Sequence, residues 1–366
     1  MFPAARRSRA AAFRGLITTP SPCSRCANLR PECRRIARPE QPATVWEDWE
    51  MMRTYRAGMT GLVLWGAVLA LAAAPALAEN DKVAVAFTPT AAVAGLFNGH
   101  YEGYFAKGGI DTTLLMQSNS VGVVAAVQAG QAEIGSAATG VFFGAVQHGL
   151  DYVALGCQTT FGPGSDVLGV IPRNGVTITS PADFVGKRVA VPGVNGGTHV
   201  AFMEWLREKG VDPHAVTYVE VKYPQQADIL RGTTVDAVVT SEPYMARIVQ
   251  AGLGKVYSHL NDTTLSVPDS FYFAQRSWAD AHPQAAEAFI NGLAEGVKFA
   301  NEDQQKSDEN TAKALQQDVS FISAAGRQNF CGPDTAKYIK QLNTVMIGLG
   351  LATEPLDPNV VVWKKP

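Results

Sequence analysis

The residues best arranged for chemistry lie in VAVPGVNGGTHVAFMEWLREKG, Val189 to Gly210. An apolar strand runs into Gly193-Val194-Asn195-Gly196-Gly197-Thr198, and a helix follows at once, with Val200, Phe202, Trp205 and Leu206 at helical spacing. The first N–H groups of a helix have no acceptor within it, and its dipole places partial positive charge there. Gly196 and Gly197 let a guest approach the backbone, and Thr198 adds a hydroxyl. The chemistry on offer is capture of a small anionic group by main-chain amides. The same glycines would also serve a tight strand-to-helix turn with no guest. The loop alone leaves both readings open.

Motifs for making and breaking bonds are missing. The chain has no G-x-S-x-G, no H-E-x-x-H, no Walker loop and no G-x-G-x-x-G. His199, on the first turn of its helix, has no metal-type partner four residues on, and reads as a capping or solvent-exposed histidine. Cys23, Cys26 and Cys33 form C-x2-C-x6-C, but no second ligand pair with zinc-type spacing follows. Nothing assembles a nucleophile, a base and a group to orient it. The expectation is a binding protein that is not an enzyme, with no catalytic residues, no metal and no cofactor.

The ends of the 366-residue chain differ in charge. Residues 1–78 hold 11 Lys and Arg against 5 Asp and Glu, which leaves 20 against 28 for the rest, a formal −8. A folded part this acidic argues against a nucleic-acid partner. MMRTYRAGMTGLVLWGAVLALAAAPALA, Met51 to Ala78, has a basic start, an apolar stretch too short for a membrane span and a small-x-small site at Ala76-Leu77-Ala78. We read residues 52–78 as a signal peptide cut after Ala78 and residues 1–51 as a mis-assigned upstream segment. The mature protein would then begin at Glu79 in the periplasm. It keeps two cysteines, Cys157 and Cys331, which we read as buried free thiols, although an oxidising compartment would permit a pair.

From Lys82 onward strands alternate with helices. KVAVAF, DTTLLMQ, EIGSA and YVALGCQ are strands, with helices at Ala91–Phe105 and over VGVVAAVQAG and VFFGAVQHG. The pattern restarts with VLGVI, a Ser-capped SPADFVGK helix, RVAVP, VTYVEV and VDAVVT. FYFAQ follows, and then only helical patterns. The alternation predicts an α/β protein with largely parallel sheets in two lobes.

Several blocks closely resemble the periplasmic solute-binding proteins of ABC importers of the nitrate, sulfonate and taurine type. They are Gly186-Lys187-Arg188-Val189-Ala190-Val191-Pro192 with the loop at Gly193–Thr198, Val235-Asp236-Ala237, and Glu242-Pro243-Tyr244. GHYEGYFAKGGIDTTLL and VQAGQAEIGSAATG add two more, the latter with Glu133 where the family usually has Asp. The resemblance covers roughly residues 82–300 and extends to thiamine-pyrimidine precursor binding and synthesis proteins. The synthase branch carries a Cys-rich motif and a sacrificial His, and no such Cys cluster follows residue 79.

The resemblance implies a type II periplasmic binding protein fold, two α/β lobes joined by two crossing strands with a ligand cleft between them. Residues 81–166 plus 270–366 would form lobe one and residues 167–269 lobe two, with Val167–Ile171 and Phe271–Gln275 as the crossings. Ligand would sit at the carboxyl ends of the strands and be buried by hinge closure. Strand ends give the cleft candidates: Thr88, Pro89, Ser118, Asn119, Thr139, Gly140 and Thr159 from lobe one. Lobe two offers Asn195, Gly196, Gly197, Thr198, His199, Tyr223, Glu242 and Tyr244. Each Ser or Thr, and Glu242 ahead of Pro243, could instead cap a helix, and Tyr244 could instead be core packing. With no Arg in these loops and Glu242 among them, a small organic anion or zwitterion such as a sulfonate or taurine is expected. The implied partners are that small molecule and a membrane permease, the protein itself being a monomer. Two alternatives share the fold: a thiamine-pyrimidine precursor protein, and a ligand-sensing partner of a membrane receptor.

Overall fold

The structure, a computed structural model, describes residues 79–366. The upstream segment, the signal peptide and Cys23, Cys26 and Cys33 lie outside the described residues. The first four strands are β1 (Asp81–Phe87), β2 (Ile110–Met116), β3 (Ile134–Ala138) and β4 (Tyr152–Cys157). Helices α1 (Ala94–Tyr101), α2 (Tyr104–Lys107), α3 (Ser120–Gln128) and α4 (Thr139–Gln147) alternate with them. The helix expected over Ala91–Phe105 is broken, because Gly103 takes a left-handed φ of 72° between α1 and α2.

The middle of the chain contains β5 (Thr160–Phe161), β6 (Leu168–Pro172), β7 (Arg188–Val191), α5 (Gly197–Glu208) and β8 (Thr217–Glu220). It continues through α6 (Gln226–Arg231), β9 (Ala237–Ser241), α7 (Tyr244–Gln250) and β10 (Val267–Pro268). The tail starts with β11 (Ser270–Gln275), α8 (Arg276–Ala281), α9 (Pro283–Glu302) and α10 (Gln304–Leu315). It ends with α11 (Val319–Ser323), α12 (Thr335–Gly348) and α13 (Pro358–Val361). SPADFVGK forms only a short 3-10 turn, Pro181–Phe184, with the predicted Ser180 cap made reciprocal by Asp183.

One sheet has the order β2-β1-β3-β11-β4, the other β6-β9-β7-β8, and β5 pairs with β10 in a two-stranded ribbon. We call the first sheet with its helices lobe one and the second lobe two. Both sheets depart from the expected parallel arrangement at a single strand. β11 is antiparallel to β3 and β4, and β6 is antiparallel to β9. The reason is geometric: each of these strands enters from the side where the parallel strands end, so it must run back against them. The residues expected to cross, Val167–Ile171 and Phe271–Gln275, therefore lie almost wholly in β6 and β11 and pair inside the sheets. The crossings are the ribbon β5–β10 just ahead of them.

One apolar core lies between β1, β3, β4 and β11 on one side and α1 and α9 on the other, with Val85, Phe97, Phe289 and Leu293 at its centre. A second runs from Phe142 and Phe273 past Val267 into Phe202 and Trp205 of α5. Ile339, Leu342 and Val345 of α12 join it, so that helix braces the hinge from behind. Cys157 and Cys331 are paired in a disulfide, Cα atoms 5.5 Å apart, contrary to the expectation of free thiols. Their approach is set by the backbone: Cys331 N–H donates to Gln158 O at 3.1 Å, and Thr160 N–H to Asn329 O at 2.9 Å. The segment ahead of α12 is thus strapped to the chain entering the first crossing.

Candidate functional site

A cleft of about 290 Å³ opens between the lobes. It is walled by the loops at the carboxyl ends of the parallel strands, where main-chain groups no longer serve a ladder. The loop after β1 contributes Thr88 and Pro89, and the loop after β2 contributes Ser118 and Asn119. From lobe two come Gly196, Gly197 and Thr198 after β7, Tyr223 after β8 and Tyr244 after β9. These nine of the candidates share one cavity.

The lobe-one loops are held by their own bonds. Asn119 caps α3, its Oδ1 accepting from Gly122 N–H at 2.8 Å, and Ser120 Oγ accepts from Ala138 N–H at 3.0 Å. In lobe two, α5 starts at Gly197 with Gly196 in the cap position and no side-chain cap. Thr198 Oγ1 and Tyr223 Oη are 2.8 Å apart, and the Tyr223 ring stacks on Tyr244 with centroids 5.3 Å apart and planes 11° from parallel. Burial, and secondarily the charge of Asp269, raises the Tyr223 hydroxyl pKa, so it acts as a neutral hydrogen-bonding group.

Six candidates do not line the cleft. Thr139 is buried and donates its N–H to Asp269 O at 2.9 Å. Gly140 abuts the opposite lobe: a Cβ there would overlap the Asn195 carbonyl oxygen, so only glycine permits this approach. Thr159 is buried beside the hinge, where its carbonyl accepts from Asp269 N–H at 2.8 Å. Asn195 adopts a φ of 60° and donates its N–H to His199 Nδ1 at 2.9 Å. His199 is neither a cap nor solvent-exposed. It packs edge-on against Tyr218 at 4.1 Å, and burial lowers its pKa to about 4. With Nδ1 accepting, the ring is neutral and its proton lies on Nε2. The histidine fixes the shape of the glycine loop from behind. Glu242 caps α7, Oε2 accepting from Ala246 N–H at 3.0 Å, and burial raises its pKa.

The acidic groups in the cavity are ones the sequence reading missed, Asp269 on the turn into β11 and Glu220 at the end of β8, with Lys222 beside them. Desolvation lifts the Asp269 carboxyl to about 6. A Cβ on Gly197 would lie 2.6 Å from both Asp269 Oδ1 and its carbonyl oxygen. The glycine at the mouth of α5 is therefore required by the hinge turn as well as by any guest. A side chain at 197 would strike the chain itself, not only the space a ligand occupies.

The sequence pattern of the NMT1/THI5-like family matches residues 90–307. The chain is 22% identical over 318 residues to the bicarbonate-binding protein CmpA of Synechococcus elongatus, covering 79% of this chain and 67% of that one. It is 25% identical over 115 residues to the nitrate/nitrite binding protein NrtA of a Nostoc species, covering 31% of this chain and 26% of that one. Among solved structures, the alkanesulfonate-binding protein SsuA from Xanthomonas axonopodis pv. citri superposes with a TM-score of 0.65 at 16% identity, covering 78% of this chain and 99% of SsuA. A protein from Candida albicans described as having the generic periplasmic binding protein fold gives 0.61 at 15% identity, over 78% and 96% of the two chains. The fold is that of the periplasmic binding proteins, and by the match over more than half its length the chain belongs to the NMT1/THI5-like family.

Proposed function

We propose that this chain is the substrate-binding component of an ABC importer. It captures a small organic anion or zwitterion in the interlobe cleft and hands it to a membrane permease without altering it. The observation that carries the reading is the cleft itself, walled from both lobes and from the hinge turn between them. At about 290 Å³ it suits a small molecule and is too small for a peptide. Relatives and structural neighbours named for bicarbonate, nitrate and sulfonate support the importer role. The lining here contains no arginine but does contain Lys222, Glu220 and Asp269, which favours an organic ligand with both signs of charge over an inorganic anion. In this reading the protein works as a monomer in the periplasm, after loss of the leader ending at Ala78. Closure about the β5–β10 ribbon encloses the ligand and forms the surface that addresses the permease.

The test is thermal melting against a panel of sulfonates, taurine, small carboxylates, nitrate and bicarbonate. A bound ligand stabilises by RT ln(1 + [L]/Kd), about 2.7 kcal/mol at a hundredfold excess over Kd. Stabilisation by one chemical class, with the ligand recovered unchanged, is expected. Chemically altered ligand in the recovered fraction would overturn the carrier reading.

A further inference from the structure

We propose that the cleft selects a ligand carrying a cationic nitrogen, an ammonium or amidinium group, and that Asp269 is the residue that selects it; this rests on the importer reading above. Asp269 lines the cavity from the turn between β10 and β11. Its main chain is fully engaged, N–H to Thr159 O at 2.8 Å and O from Thr139 N–H at 2.9 Å, so the backbone that carries the carboxylate is fixed at the cavity wall. That carboxylate has one hydrogen-bond donor, Ser270 Oγ at 3.3 Å, and takes part in no salt bridge among the described residues.

Asp269 is partly buried, and a carboxylate partly shielded from water without a counter-charge falls in free energy when a cation arrives. Of the three charged side chains around the cavity, Lys222 is exposed and forms no salt bridge with either acid, so it leaves Asp269 uncompensated. Glu220, also exposed, adds a second negative charge. The free amides of α5 do not reverse this preference. Asp269 Oδ1 already lies against Gly197, so an anion on those amides would meet a like charge at close range. The same cavity holds the parallel pair Tyr223–Tyr244, whose rings favour a cation or a flat apolar body beside them. The groups facing the ligand thus include an acid, two phenol rings and the Thr198–Tyr223 hydroxyl pair, with the neutral hydroxyls of Thr88 and Ser118 from lobe one. An anionic group on the same ligand would be left to Lys222 at the rim.

The experiment uses matched pairs that differ only in the nitrogen: taurine and ethanesulfonate, γ-aminobutyrate and butyrate, benzamidine and benzamide. Each is titrated by melting shift and calorimetry against the wild-type protein and Asp269→Asn. The expected result is that every stabilising compound carries the cationic nitrogen and that its partner binds at least tenfold more weakly. Asp269→Asn should remove that difference while melting, without ligand, no lower than the wild type. Stabilisation by the partners without a cationic nitrogen alone, or a preference that survives Asp269→Asn, overturns this inference and leaves the importer reading standing. If neither member of any pair stabilises the protein, this inference falls, and the importer reading falls with it only if nothing in the wider panel binds.

Discussion

Two helix mouths at the cleft, those of α3 and α5, are finished in opposite ways. α3 in lobe one is closed by its own cap, Asn119, and the neighbouring Ser120 ties the end of β3. α5 in lobe two has a glycine at its cap, and its hydroxyl Thr198 is shared with Tyr223. Lobe one spends Asn119 and Ser120 on its own loops and leaves the hydroxyls of Thr88 and Ser118 on the cavity wall. Lobe two keeps donors open and supplies the aromatic pair, while the hinge supplies the acid. The two lobes thus contribute differently: lobe one offers hydroxyls on self-braced loops, and lobe two offers open amides and an aromatic pair.

The most damaging change to this arrangement is Gly140→Ala. The added methyl overlaps the Asn195 carbonyl and holds the lobes apart at one rim. Overpacking of this kind costs about 1–3 kcal/mol, and if it falls on closure, ligand affinity drops about tenfold to a hundredfold. Small-angle scattering should show a larger radius in the presence of ligand than for the wild type. An unchanged radius and affinity would break the idea that the two loops meet on closure.

Asp269→Asn separates the hinge acid from the loop acids by its pH dependence. The folded carboxyl titrates near 6 against an ordinary 3.8, so ionising it works against folding. In wild-type protein this cost is absent below about pH 4 and complete above about pH 7, where it reaches about 1–2 kcal/mol. The unliganded Asn variant should therefore gain stability over the wild type as pH rises through that window. Parallel denaturation curves at about pH 4 and pH 8 check the sign.

Asn119→Ala tests the closed cap of lobe one. It should lower stability by about 1 kcal/mol, as loss of a helix cap does, and leave the choice between cationic ligands and their uncharged-nitrogen or nitrogen-free partners unchanged. A shift in that choice would place the side chain on the ligand rather than on the helix. Gly196→Ser, which offers α5 the acceptor it lacks but sets its Cβ 3.1 Å from the Gly193 carbonyl oxygen, has the smallest expected effect on the fold, within a few tenths of a kcal/mol of the wild type. Weaker ligand binding at unchanged or higher stability would sharpen the contrast, because it would mean that the open amides serve the guest.

The alternation of strands and helices was legible because each strand is a short β-branched or aromatic run with turn residues at its ends. The glycine loop could be read for the same reason: strand, loop and helix are contiguous in the chain. Asp269 could not be found that way. In SVPDSFYFAQ it looks like a polar loop residue ahead of a strand, and it reaches the cleft only because β11 pairs Tyr272 with both Ser136 and Gly156. The misplaced acid, Glu242, had the right type and the wrong geometry, since the start of α7 draws its carboxylate back onto Ala246 N–H. The one usable signal for Asp269 was its position just before the strand that re-enters lobe one. His199 and Gly140 were read by type and spacing alone, and their contacts with Tyr218 and Asn195 depend on how distant segments meet.

The place of β11 in its sheet also orders events in time. β1 to β4 are made first, yet β3 and β4 are joined only through β11, so the five-stranded sheet cannot close until residue 275 has left the ribosome. Lobe two, by contrast, has all four of its strands in one continuous stretch and can assemble while lobe one is still an incomplete sheet with β4 unpaired. For that interval the chain carries two open strand edges, on β3 and β4, which are the surfaces most prone to pairing with another chain.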